Sequence, residues 1–426
     1  MTQNHECAGP RSAEQITLRS PGELADALPY MVGFHPSDSL VMVAVHGPGG
    51  RFGGRLRVGI PRTPGEWEEL AAQVADCLVG GSVRRGGRPD GIVVFLCREP
   101  GPDESGQQVM ERLRPLAQQV RIACGALDVP VLEALCISGG AYWSYCCPDR
   151  RCCPPEGRPL AMPGTSVMAA AATYAGIRVR GSLRELEGRL APLRGAAATA
   201  QGHALDRAAA ELVPRMLDGV TRTQVGAETI ALAGKVLTRF AQAPPADGGP
   251  ASDDWDDALV EDAEAAALVL GLQDREIRDI AAEWMEGPEA LPALRLWRAL
   301  ARRCVEGYEE HAAAPLSLVG WVAWSTGDEP YARIALSLAL RADPDYRFAE
   351  LLHHACNAEL DPETLRECLR EERRRREQPH AAPPPHRRPG GAAKAGPRTR
   401  PGTGAPAGRQ PRSGRIPRQR TAGSGE

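Results

Sequence analysis

Residues 141–160 read AYWSYCCPDRRCCPPEGRPL and hold one Trp, two Tyr and four of the chain's 12 Cys. Before this stretch the apolar runs are short and β-branched. After it they are Ala-rich and recur at helical spacing. The change of period from about 2 to about 3.6 residues marks the end of a strand-containing layer and the start of a helical one. Within the stretch, AYWSY follows Gly139-Gly140 and reads as an aromatic strand leaving a tight turn. The CCPDRRCCPP that follows reads as a Pro-braced loop.

Toward the N-terminus, Ser20-Pro21-Gly22-Glu23 is a helix start with Ser20 as N-cap, Pro21 in the first turn and Glu23 as the reciprocal partner. Pro29 is expected to kink or end that helix. The turn GFHPSDS, residues 33–39, leads into LVMVAV, a buried strand. HGPGG is a hairpin loop, and residues 55–60 alternate as the antiparallel partner. Thr63-Pro64-Gly65-Glu66 starts a second helix, 92–97 is a second buried strand, 104–125 a third helix and 129–138 a third strand. This pattern predicts an α/β domain with a mixed sheet over 16–162.

Toward the C-terminus, 164–378 reads as an all-α domain. Ser182-Leu183-Arg184-Glu185 is a capping box. The helices fall at 199–217, 225–242, 256–270, 274–285 and 289–302, with a Pro/Gly/Asp loop at 243–254. Leu316, Val319, Gly320, Ala323, Ala332, Leu336, Ala339 and Pro344 fall at the spacing of a single tetratricopeptide-like helix hairpin. Trp284, Trp297, Trp321 and Trp324 read as core. Residues 379–426 are Pro, Gly, Ala and Arg with little apolar bulk, a disordered basic tail. From Arg373 onward thirteen Arg and one Lys face two Glu, whereas the whole chain carries −3, so the body ahead of it is acidic.

The composition, 42% hydrophobic and 25% charged, is that of a globular protein. No run approaches the roughly 20 apolar residues of a membrane span. The polar N-terminus MTQNHECAGP predicts no signal peptide and hence a cytoplasmic location. The scattered cysteines read as small buried hydrophobes in a reducing compartment.

LRSPGELADALPYMVGFHPSDSLVMVAV together with YWSYCCPDRRCCPPEGRPL resembles an uncharacterised bacterial family, the domain-of-unknown-function family 4192. The resemblance covers about residues 18–365. It implies membership and no activity. The family pattern has an apolar residue where this chain has Cys146, which argues against a shared role for that thiol.

Three features bear on chemistry. Cys147 and Cys152 stand at a spacing used by zinc ligand pairs, and Cys153 adds a third sulfur. The fourth ligand has to come from Cys146, from His35 across the fold or from a second chain. Buried reduced thiols and a redox role are the competing readings. His35, Asp38 and Ser39 share one turn, too close for a hydrolase triad. They are instead a candidate ligand site at a strand end, with Asp38 or Ser39 capping the turn. Trp143 and Tyr145 share one strand face and could stack on a ligand. GPGGRFGGR at 47–55 lacks the order and following helix of a phosphate loop and reads as a flexible hairpin. The repeat-like helix hairpin and the lack of a convincing catalytic set predict a binding or regulatory protein with a protein partner on its helical half, and the basic tail could touch nucleic acid or an acidic partner. The alternative is an enzyme with a zinc or small-ligand site near His35, Asp38 and the thiol loop.

Overall fold

The computed structural model describes residue 18 and residues 20–377 except 150, 163, 177–178 and 246–249. The expected start at residue 16 and the basic tail over 379–426 lie outside the described residues. Ser20 caps α1 (Pro21–Val32), its hydroxyl accepting from the Glu23 amide at 3.2 Å. Pro29 lies inside this helix and does not end it. The stop falls one turn later at Gly33, whose left-handed φ of +88° suits glycine.

β1 (Ser39–His46) and β2 (Arg51–Gly59) form the expected hairpin, although β2 begins four residues earlier than its alternation suggested. A short 3-10 turn without a side-chain cap from Thr63 leads to α2 (Trp67–Arg85). β3 (Gly91–Cys97) is buried throughout. Ser105 and Gln108 make a reciprocal capping box for α3 (Gly106–Ala126). β4 (Val131–Ser138) lies parallel to β3, with α3 as the crossover between them. Gly139 and Gly140, both at positive φ, then turn the chain into β5 (Ala141–Ser144), and β6 (Arg158–Pro159) closes the thiol loop.

The six strands stand in the order β2-β1-β3-β4-β5-β6, with β3/β4 the parallel pair. Strand alternation sends Leu40, Met42, Val94 and Leu96 to one face, where α2 and α3 cover them with Leu78, Leu113 and Leu116. Val41, Val43, Val93 and Phe95 go to the other face, against Ala25 and Leu28 of α1.

The remainder is helical: α4 (Val167–Tyr174), α5 (Leu183–Gly188), α6 (Gly195–Leu217), α7 (Arg222–Gln242), α8 (Pro250–Asp257), α9 (Asp262–Gly271), α10 (Arg275–Ala281), α11 (Gly287–Arg302), α12 (Ala313–Ser325), α13 (Glu329–Ala342), α14 (Arg347–Asn357) and α15 (Glu363–Glu377). Trp297 and Trp321 are fully buried, and Trp324 nearly so. α12 and α13 pack closely enough that a Cβ on Gly320 would lie 2.6 Å from Leu336 Cγ and 3.3 Å from the Ala332 carbonyl.

The single helix expected over 256–270 is two, α8 and α9, and part of the expected 243–254 loop is helical. The cause is a row of arginines on α11 and just past its end. Arg295 pairs with Asp256 at 2.6 Å, Arg298 with Asp253, Arg302 with Asp257 at 2.9 Å and Arg303 with Asp262 at 2.7 Å. The acidic residues that resemble a helix start are thus pulled down onto α11, and the chain breaks between them. Arg295 also donates to the carbonyls of Phe240 and Ala243, at 3.0 and 2.8 Å, and lies over the Phe240 ring. Removing one partner of such a pair leaves a buried charge uncompensated. Arg295→Ala is therefore expected to lower unfolding stability by about 3–5 kcal/mol. An apolar double replacement, Arg295→Met with Asp256→Leu, is expected to lose much less. Urea denaturation of the two variants checks both.

The turn before β1 stitches the two halves together. Phe34 belongs to the core of the helical half. His35 forms a parallel bridge with Ser182, its amide donating to the Gly181 carbonyl at 2.9 Å and its carbonyl accepting from the Leu183 amide at 3.0 Å. Pro330 of α13 sits where a side chain on Gly33 would be, 2.5 Å from its missing Cβ. Arg180 pairs with Asp328 at 2.6 Å beside it.

Candidate metal centre

The loop between β5 and β6 is shaped by backbone hydrogen bonds to named side chains. Ser144 ends β5. Its hydroxyl donates to Glu133 at 2.8 Å and accepts from the amides of Cys146 and Cys147 at 3.1 and 3.0 Å. The chain then turns at Pro148-Asp149, where the Asp149 carbonyl accepts from the amides of Cys152 and Cys153 at 3.1 and 2.7 Å. Arg158 reaches back to donate to the carbonyls of Cys152 and Arg151. Trp143, buried beneath, donates its indole N–H to the Pro155 carbonyl at 2.9 Å. Gly157, at φ +81°, lies on the indole so closely that a Cβ there would be 2.5 Å from the ring.

The result is a knuckle in which the Sγ atoms of Cys147, Cys152 and Cys153 lie within 4.8 Å of one another. Cys147 and Cys153 are half-buried and Cys152 is exposed. Burial, then hydrogen bonding to and the charge of the Cys147 and Cys152 sulfurs, pushes the Cys153 thiol up to about 12. The two neighbouring sulfurs therefore penalise ionisation of Cys153 unless a cation is shared among them. A tetrahedral zinc with Zn–S near 2.3 Å spaces its sulfurs about 3.8 Å apart, so the three need close by at most about 1 Å. The thiol of Cys146 is outside this group and turns to Glu133 and the Ala134 backbone, with burial raising its pKa.

His35 lies elsewhere. Its ring lines a cavity of about 920 Å3 with Ala25, Asp26, Tyr30, Leu160 and Met162. Burial lowers the His35 pKa and raises that of Asp26, so both lean toward their neutral forms. The Asp26 carboxylate accepts from the Ala161 amide at 3.3 Å. Asp38, at φ +47°, pairs with Arg98 at 3.3 Å and Arg184 at 3.6 Å. Ser39 donates to the Ser37 carbonyl at 2.7 Å and accepts from Arg57 at 3.1 Å. Both stand at the carboxyl end of β3, since Ser39 pairs with Cys97.

Trp143 and Tyr145 share the sheet face that α3 covers, and both polar tips are engaged internally. The Tyr145 hydroxyl donates to the Met110 carbonyl at 2.8 Å, and Arg114 lies over its ring. The structure thus brings the three thiols together, puts His35 in a separate cavity, uses Trp143 to support the thiol loop and ties Tyr145 to α3. Asp26 and Tyr30 of the cavity, and Ser144, Glu133 and Arg158 of the knuckle, carry no motif. A carboxylate or guanidinium serving backbone groups has no fixed spacing to betray it.

The knuckle depends on the indole beneath it. Trp143→Ala is expected to cost about 3–5 kcal/mol of stability. It is also expected to make Cys153 react faster with iodoacetamide in the folded state, measured by mass spectrometry against the unaltered chain.

No curated protein and no solved structure matches this chain. One family model does, that of the domain of unknown function DUF4192, over residues 21–363. That match runs from the first turn of α1 to the start of α15 and includes the sheet, the seam at His35 and the thiol knuckle. The chain belongs to the DUF4192 family.

Proposed function

We propose that this protein is a non-enzymatic binding protein of regulatory type, whose thiol knuckle holds a zinc ion and whose helical half receives a protein partner. The carrying observation is the knuckle itself, with three sulfurs within 4.8 Å and Cys152 on the surface. Three protein ligands leave one coordination position for water or for a group brought from outside. Zinc would neutralise the mutual repulsion of the three thiolates and rigidify the loop that finishes the sheet. The helical half offers an apolar surface at the α6–α7 end, where Leu217 and Val220 are more than four-fifths exposed. The basic tail, by its charge, suits an added contact with nucleic acid or an acidic partner. The cytoplasm fits thiols such as Cys97, Cys136 and Cys304, all held free and buried.

The cavity beside His35 supports a second reading, in which a small, largely apolar ligand sits between α1 and the chain after β6. Its volume of about 920 Å3 and its few polar groups match small-molecule sites.

Native mass spectrometry of protein purified with added zinc, without chelator, separates these readings. One zinc per chain, lost in Cys153→Ser and Cys147→Ser, is the expected result, with proton release on zinc uptake because thiol ligands must ionise. Zinc bound equally by the serine variants would sink the metal reading. An organic adduct retained by those variants and lost on His35→Ala would favour the second. For the partner, Leu217→Asp with Val220→Asp is expected to abolish co-purification of whatever the unaltered full chain retains. Retention unchanged in that variant removes the α6–α7 surface from the proposal.

A further inference from the structure

A cleft of about 550 Å3 opens between the β1–β2 hairpin and the C-terminal end of α2. Its wall carries His46, Arg51, Phe52, Ser82, Arg85 and, from the turn after α14, Glu359. Three observations single it out. First, Ser82 is 4% exposed, yet its hydroxyl has no hydrogen-bond partner among the described residues. A buried donor in that state costs free energy unless something outside the chain satisfies it.

Second, Arg51, Arg85 and His46 have no side-chain hydrogen bond or ion pair among the described residues. Most other arginines near the sheet are engaged: Arg55 with the Met31 carbonyl, Arg57 with Ser39, Arg98 with Asp38 and Arg112 with Glu104. Glu359 is the one acidic residue on the wall, so the cleft carries a net positive charge.

Third, the glycines of β2 shape it. A Cβ on Gly53 would lie 2.5 Å from His46 Cδ2. A Cβ on Gly54 would collide with the Arg85 guanidinium and stand 3.6 Å from Ser82 Oγ. Bare backbone thus lets the imidazole and the guanidinium lie down on the strand, and it brings Arg85 and Ser82 Oγ toward one point. Arg51 pairs directly with His46 across the hairpin. These glycines fall at the register shift of β2, between the pairs Val43–Arg55 and Val45–Phe52, where bare backbone suits a bulge and leaves room for the side chains.

We propose that this cleft binds the phosphoryl group of a small phosphorylated ligand. Guanidinium groups match the geometry of phosphate oxygens and bind them through charge-assisted hydrogen bonds. The Ser82 hydroxyl supplies the donor that is otherwise stranded. The volume lies in the range of small-molecule sites. The cleft shares no residue with the thiol knuckle.

Calorimetric titration of the full-length protein with inorganic phosphate, at ionic strength held constant with chloride, tests the proposal. Saturable binding is expected. Arg85→Gln should weaken it at least about tenfold and Ser82→Ala several-fold, whereas Arg84→Gln, one residue away and outside the cleft, should leave it unchanged. Arg85 is exposed, so its variant keeps the fold if Ser82→Ala does not. A second titration with a nucleoside monophosphate identifies the source of the phosphoryl group. Tighter binding than that of inorganic phosphate, likewise lost in Arg85→Gln, marks a phosphate ester as the ligand, and equal binding marks free phosphate. Heat no greater than that of chloride, or equal losses in Arg84→Gln and Arg85→Gln, would overturn the site.

Discussion

Both faces of the sheet must be kept from water, and the rest of the molecule follows from that. From Leu40 to Val45 every residue of β1 is buried, and β3 is the same. Strand alternation sends half of these side chains to each face. α2 and α3, of 19 and 21 residues, cover one face fully. The other face has α1, a helix of 12 residues. Between α1 and β1 the chain therefore packs Phe34 into the core of the helical half, with Val32 packed against both cores.

The helical half has a different organising force. Its core is Ala- and Leu-rich and gathers Phe240, Trp297, Trp321, Trp324 and Tyr331, and its least regular part is held by ions. Arg295, Arg298, Arg302 and Arg303 each take an aspartate of α8 or of the first turn of α9. Buried pairs of this kind add little net stability over apolar packing, but they fix one arrangement, because any other strands a charge. α15 extends the same logic to the surface. It buries Leu369 alone, while Arg366, Arg370, Arg373 and Arg376 bond Glu283, Glu286 and Glu289.

Much of the fold was legible because local chemistry and global structure agree. The capping residues Ser20 and Ser182 each start a helix where the sequence places one. The buried strands announce themselves as β-branched runs, and the Gly139-Gly140 turn marks the β4–β5 hairpin. The misreadings arise where long-range contacts win. Pro29 is tolerated because tertiary packing on the sheet carries α1 past it. The acids from Asp253 to Asp262 resemble a helix N-terminus, but their partners lie about 40 residues away in sequence, beyond any local pattern. Of the candidate site, the thiol spacing was readable. The separation of His35 from it was not, since nothing in one sequence says which edge of a sheet a turn will face. Ser82 gave no signal at all: a serine in a helix acquires meaning only when its neighbours leave it without a partner.

The seam at Phe34 bears on how such a protein can change through descent. Phe34 lies on the chain between α1 and β1, both parts of the sheet layer, yet its ring completes the core of the helical half. Gly33 can bear no side chain while Pro330 lies against it. A recombination event that exchanged one half for an unrelated sequence would leave an aromatic ring in water and a proline without its seat. The two halves are thus bound to be inherited together, and a substitution at the seam of one is felt as selection on the other. The family match, from the first turn of α1 to the start of α15, takes in both sides of that seam.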